Sequence, residues 1–327
     1  MSVQASIGSF FDAVGSFFDS LARVGWGPLA LGAVAFVLYL TLRSRAFFNT
    51  LRAAYPSEPI PFRRIWGAYI AAYGFNNVIP ARGGDVIKLF LVKQSIPHAT
   101  YPAVGASIFV EATFDAVMGI FILAFAFSQG VFPKPPDFAK LNAFDLSFFA
   151  GHPRFTLFLL TVIAIAALVG FAVLSHRVKA FWARVRQGLT ILGDRRRYMR
   201  EVFAVQFAGW CLRFAAFWLL LEAFNVGGSV RNVLLVLGVN AVAAVVPFTP
   251  GGAGVQQALL VKVFAGTATV ATVAAYSVGQ QIVIAVTTLG VGFLALVSIF
   301  RIRSFKEAIR LGQAERDAER TATSRSY

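Results

Sequence analysis

Six ionisable residues stand in stretches of this sequence that are otherwise apolar. Arg82, Asp85 and Lys88 follow one another at helical spacing in "NNVIPARGGDVIKLFLV". Glu111 and Asp115 lie one turn apart in "GASIFVEATFDAVMG", and Arg213 is midway along "EVFAVQFAGWCLRFAAFWLLLEAF". An ionised group at the centre of a bilayer costs at least ~2.5 kcal/mol, so it faces a partner or a polar cavity. One reading makes Arg82 and Arg213 the holders of a phosphate. Asp85, Glu111 and Asp115 are then counter-charges, or ligands for a cationic headgroup. The competing reading is a structural ion network, and Lys88 has the further option of snorkelling to the interface. Asn76, Asn77, Asn240, Thr249, Gln256, Gln257, Gln280 and Gln281 add an uncharged polar lining, although any one of them also serves as glue between helices.

The elements that must position these groups are broken in the same way twice. In each half an apolar run meets a proline, a Gly-Gly pair and a second apolar run: Pro80, Gly83 and Gly84 first, then Pro247, Pro250, Gly251, Gly252 and Gly254. Open backbone in hydrocarbon costs several kcal/mol per unpaired group, so it is tolerated only where protein or a water-filled cavity covers it. Each following helix would start near mid-membrane, with free N–H groups and a positive dipole end that suit an anion such as phosphate. Tight turns between short crossing helices are the alternative.

The chain has 327 residues, 57% hydrophobic and 14% charged, against about a quarter charged in a soluble domain. The expected fold is all-α: a polytopic helical membrane protein with two oppositely oriented broken-helix hairpins, an inverted repeat. Spans are expected near 25–42, 101–128, 155–175, 201–224 and 268–300, the last with kinks at Gly279 and Gly290. Shorter helix pairs are expected at 64–79 with 83–95 and at 230–247 with 251–265. Residues 1–24 read as an interfacial amphipathic helix. Residues 25–300 read as one transmembrane domain with halves 25–128 and 201–300, and 301–327 as a basic cytoplasmic tail. The net charge of +15 collects after Leu42, after Ser175 and in the tail. Flanking charge of this kind marks cytoplasmic loops, which excludes nucleic acid as the partner. The two hairpins then enter from opposite faces, with their Gly-Gly pairs roughly 168 residues apart.

Signs of catalysis are few. His98, His152 and His176 fall in separate loops and Cys211 is the sole cysteine. No metal site, cofactor or catalytic residue is expected, and no phosphate-binding loop or nucleophile elbow appears. Lipid translocation is favoured over bond chemistry. The alternative is a membrane-embedded enzyme or accessory subunit in glycolipid or lipid-headgroup modification; a scaffold is a third option.

The motifs "NNVIPARGGD", "VEATFD" and "VPFTPGGAGVQQALL" resemble those of the lysylphosphatidylglycerol synthase transmembrane-domain family, also called flippase-like domain proteins, over roughly 25–300. The resemblance implies a protein of the cytoplasmic membrane that moves or helps modify anionic or polyprenyl-linked lipids, so its partners would be an anionic phospholipid or a polyprenyl phosphate derivative. A homo-oligomer is a further option. In multidomain relatives a separate cytoplasmic domain transfers the aminoacyl group; this sequence shows none, so lysyl transfer is not expected. Asp85 stands where the family has Glu, Ala112 where it has Arg and Gln257 where it has Glu. The last two departures are expected to remove a charge pair from the cavity.

Overall fold

A computed structural model describes residues 19, 22–77, 83–129, 181–243 and 254–301. The expected N-terminal helix (apart from residues 19 and 22–24), the neutral loop after residue 129, the span 155–175 and the tail beyond Arg301 lie outside these residues. Among the described residues the regular elements are helices: α1 (Trp26–Ala54), α2 (Phe62–Asn76), α3 (Gly83–Ser95), α4 (Tyr101–Ser128), α5 (Arg195–Ala223), α6 (Val230–Ala243), α7 (Val255–Val263) and α8 (Val270–Phe300). The all-α architecture is as expected. Helices α1, α4, α5 and α8 are long and apolar enough to cross a membrane.

The helix starts follow local chemistry. Thr100 is extended ahead of α4, and Pro102 occupies the first turn, where no N–H partner is required. Thr269 caps α8 by accepting a hydrogen bond from the Thr272 N–H at 3.2 Å. Asp194 caps α5 through the Arg197 N–H at 2.9 Å.

α1 and α5 pack antiparallel along their length. At one end the Gly25 N–H donates to the Ala223 carbonyl at 2.8 Å; at the other the Asn49 amide donates to the Glu201 carbonyl at 2.7 Å. Gly32 and Gly209 face the opposite helix, and such small residues let backbones approach closely where no solvent drives burial.

The helix pairs α2–α3 and α6–α7 stand where the two hairpins are expected, their connecting residues lie outside the described ones, and each pair leans on the other half of the chain. α2 runs antiparallel to α8. A Cβ added to Gly74 would stand 2.8 Å from the Thr288 carbonyl oxygen, and one at Gly292 would stand 2.9 Å from Ala71 Cα. α6 runs antiparallel to α4: a Cβ on Gly238 would stand 2.7 Å from that of Ala126, and Arg231 Nε donates to Gln129 Oε1 at 3.1 Å. α2 starts at the end of the bundle where α1 finishes, and α6 starts at the opposite end, where α5 finishes. The hairpins therefore enter from opposite ends.

The same Gly-x-Asn spacing organises both. Gly74-Phe75-Asn76 and Gly238-Val239-Asn240 place a glycine against the opposite half and an asparagine against the start of the returning helix. Asn76 Oδ1 accepts from the Gly84 N–H at 2.8 Å, and Asn240 Oδ1 accepts from Gln256 Nε2 at 2.7 Å. α8 touches both hairpins. The Asn77 amide donates to Thr288 Oγ1 at 3.1 Å, while Gln281 bonds Gln256 and Gln257. Seven residues at ~1.5 Å rise separate the two contacts by ~10 Å.

Two expectations are corrected. The first span does not stop at Leu42, because α1 continues to Ala54 and Arg43 is buried at 4% exposure. Basic side chains after an apolar run do mark an interface in most chains, but here Arg43 finds carboxylates inside the bundle. α8 also runs unbroken through Gly279 and Gly290. Gly279 is needed for packing, since a Cβ there would overlap the Phe224 ring, whereas Gly290 meets open space. The irregular turn of α8 is a π-type turn at Leu296–Phe300.

Candidate functional site

α4 supplies two carboxylates to one side of the helix, and α1, α2, α3 and α5 converge on them. Arg43 Nε donates to Tyr69 Oη at 2.9 Å and to Glu111 Oε1 at 3.0 Å; its Nη2 donates to Asp115 Oδ2 at 2.6 Å and also to Glu111 Oε1, and its Nη1 to Asp115 Oδ1. The Tyr69 hydroxyl donates to Glu111 as well. Lys88 Nζ lies 3.3 Å from Glu111 Oε2 and 3.9 Å from Asp85 Oδ1, and 4.8 Å from the centre of the Tyr69 ring. Trp210 Nε1 donates to Asp115 Oδ1 at 3.3 Å. Arg43, Lys88 and Glu111 are all buried. A buried ion pair holds only when further hydrogen bonds satisfy the remaining donors and lone pairs, and here the forked guanidinium spans two carboxylates and a phenol.

Arg213 sits next to this network without joining it. Its guanidinium carbon lies 4.8 Å from the Trp210 ring centre, 5.8 Å from Tyr39 and 5.9 Å from Phe217. Tyr39 is also 5.8 Å from the Arg43 guanidinium, so two cations share one ring. Among the described residues no carboxylate forms an ion pair with Arg213, and its Nε is buried without a hydrogen-bond partner. Asp85, Glu111 and Asp115, by contrast, each contact Arg43 or Lys88.

The sequence-predicted residues divide into groups. Asp85, Lys88, Glu111, Asp115 and Arg213 come together as described. Lys88 does not snorkel to an interface, because Glu111 and the Tyr69 ring hold it inside. Arg82, Pro80, Thr249, Pro247, Pro250, Gly251 and Gly252 lie outside the described residues. Asn76 clasps the first hairpin through Gly84 and also donates to Asp85 Oδ1 at 3.3 Å, and Asn77 bonds the Tyr73 carbonyl and Thr288. Gly83 opens α3, while a Cβ at Gly84 would overlap the Ala72 carbonyl. Gly254 takes φ +86° ahead of α7, a left-handed conformation that glycine adopts without penalty.

Around the second break Asn240, Gln256, Gln281 and Gln257 form an amide ladder, and Gln257 Oε1 also accepts from the Gly254 N–H at 2.5 Å. Side chains thus already occupy one N–H group at the start of each returning helix. Gln280 is buried with neither amide atom paired. Ala112 requires a correction. It lies on the exposed side of α4, beside Thr113, so an arginine there would not point into the network. Its loss leaves the buried charges untouched.

Sequence reasoning missed Arg43, Tyr69, Trp210 and Gln206. The spacing of Leu40, Phe47 and Leu51 through "LYLTLRSRAFFNTLRAA" carries an apolar helical face past Arg43, and that is the signal that would have found it. Residues 5–292 of the chain match the family model described as Lysylphosphatidylglycerol synthase TM region. The comparisons with curated proteins and with solved structures give no match.

Proposed function

The chain belongs to the lysylphosphatidylglycerol synthase TM-region family of multi-pass, lipid-associated membrane proteins, and from that premise we propose that it is a flippase-like transporter of anionic or polyprenyl-linked lipids. A phosphate-bearing headgroup binds at Arg213, with Arg82 completing the cation pair, while the tails remain in the bilayer. The observation that carries this reading is the unpaired arginine. The neighbouring carboxylates have cationic partners in the bundle, yet among the described residues Arg213, midway along a spanning helix, is met by aromatic faces and by no carboxylate. An ionised group so placed calls for an anion, and a guanidinium cushioned on rings keeps its donors for a phosphate. The Arg43–Glu111–Asp115–Lys88 network is the rigid floor of the site.

The exchanged packing of the two hairpins supports reading 25–128 and 201–300 as an inverted repeat. Arg52, Arg63, Arg64, Arg195 and Arg301 share one end of the bundle, which supports a cytoplasmic placement of that end and of the C-terminus in the plasma membrane. The test uses proteoliposomes with fluorescent phosphatidylglycerol or a polyprenyl phosphate in one leaflet. Wild type moves one of them across, and Arg213→Gln slows that movement at least about tenfold, the worth of one charge-assisted contact. Folded protein that moves neither lipid refutes the transporter reading and favours an enzyme or accessory subunit.

A further inference from the structure

We infer that Gln206, Trp210 and Arg213 form a headgroup site on α5 that takes a phosphodiester bearing an uncharged polyhydroxyl group. This rests on the lipid-binding reading above and names the chemistry of the same site. Gln206 is 1% exposed, and neither its amide nitrogen nor its amide oxygen has a hydrogen-bond partner. A buried amide left unpaired at both atoms is costly, and native interiors rarely keep one without a reason. Gln206, Trp210 and Arg213 recur at i, i+4 and i+7, so they share one face of α5.

The charges select the ligand. Asp85, Glu111 and Asp115 are each engaged by Lys88 or Arg43, so among the described residues around Arg213 an aminoacylated headgroup would find each carboxylate already paired with a cation. Arg213 offers a single unpaired cation to a phosphate. Gln206 lies seven residues nearer the basic end, ~10 Å along the axis, where it offers one donor and one acceptor group. A hydroxyl both donates and accepts and satisfies either atom, whereas an ammonium only donates. Gly209, between Gln206 and Trp210, adds no side chain; even a Cβ there would stand 3.6 Å from Arg43 Cγ. Trp210 fixes the geometry by holding Asp115 with its N–H and Arg213 on its face.

The shared chemistry has two sources, a glycerol phospholipid or a prenyl-phosphate sugar. The experiment measures binding to the full chain in detergent, by native mass spectrometry and by the lipid-induced shift in thermal unfolding. Four probes are used: phosphatidylglycerol, a polyprenyl phosphohexose, phosphatidic acid and lysyl-phosphatidylglycerol. Wild type retains one or both polyol lipids in preference to the lysylated one, and the better-retained probe identifies the source. Gln206→Met weakens polyol-lipid binding about tenfold, the worth of one or two neutral hydrogen bonds, and leaves phosphatidic acid within about twofold. Without lipid its melting temperature is unchanged or higher, because an unpaired amide has gone; if the methionine variant does not fold, Gln206→Leu carries the same comparison. Polyol binding that ignores the substitution, phosphatidic acid binding that falls equally, lysylated lipid bound as tightly, or no binding of any probe overturns the inference. The expected binding pattern without movement in vesicles refutes transport and leaves the site standing.

Discussion

Replacing Arg43 with methionine tests whether the charge network is the interior feature described above. The guanidinium is 5% exposed at its side chain and donates to Tyr69, Glu111 and Asp115. Without it Glu111 keeps Lys88 and Tyr69, but Asp115 keeps only the Trp210 N–H among the bonds described. Removing one partner of a buried ion pair typically costs ~3–5 kcal/mol, because the other charge stays buried and uncompensated. Glu111 retains a cation and the Asp115 side chain is 38% exposed, so a loss below that range, about 2 kcal/mol, is expected. Reversible unfolding in mixed micelles, followed by tryptophan fluorescence, reads this directly. The exposed Arg45, which only covers the Phe48 and Phe62 rings, is the control: Arg45→Met should cost less than ~1 kcal/mol. The double variant Arg43→Met with Asp115→Leu should recover at least ~1 kcal/mol of the summed single losses, because residues in contact couple. A cost for Arg43→Met no greater than that for Arg45→Met would place Arg43 at the interface, where the charge pattern alone had put it, and would remove the floor from the proposed site.

Three further outcomes follow from glycine contacts. Gly84→Ala drives a Cβ into the Ala72 carbonyl, which is backbone and cannot turn aside. It should cost at least ~3 kcal/mol and open the first hairpin, measured as faster proteolysis between α2 and α3. Gly279→Ala meets the Phe224 ring, a side chain that Phe224→Leu shortens, so its loss of ~1–3 kcal/mol should be partly recovered in the double variant. Gly290→Ala, facing open space, should stay within ~0.5 kcal/mol of wild type.

The sequence carried the helices well where hydrophobicity and local signals agree. The expected span 101–128 coincides with α4, which Thr100 and Pro102 start, and the helix pairs α2–α3 and α6–α7 fall where short pairs were expected. It also marked Glu111 and Asp115, since a carboxylate in an apolar run has few ordinary uses. It did not mark Arg43, because an arginine just beyond an apolar run looks the same whether it faces water or a carboxylate 68 residues away. Only the packing of α1 against α4 distinguishes the two. The glutamines show a similar limit. Gln256, Gln257 and Gln281 read as cavity lining, yet they spend their hydrogen bonds on one another and on Asn240 and Gly254. Gln206 attracted no notice although it is unpaired. Ala112 illustrates the converse, where a departure from the family pattern falls on a helix face that the buried charges never see.

The exchange of partners between the two halves has a consequence for synthesis. The glycine-lined face of α2 is covered by α8, and the Asn77–Thr288 contact joins residues 211 apart in the chain. At ~5–20 residues per second, the ribosome needs ~10–40 s to make that cover after α2 is complete. During that interval the glycine-lined face of α2 is uncovered and faces whatever the inserting membrane supplies. α6 faces no such delay, because α4 already exists when it emerges. The early hairpin is therefore the one that depends on temporary shelter, from lipid or from the insertion machinery, until the last helix closes over it.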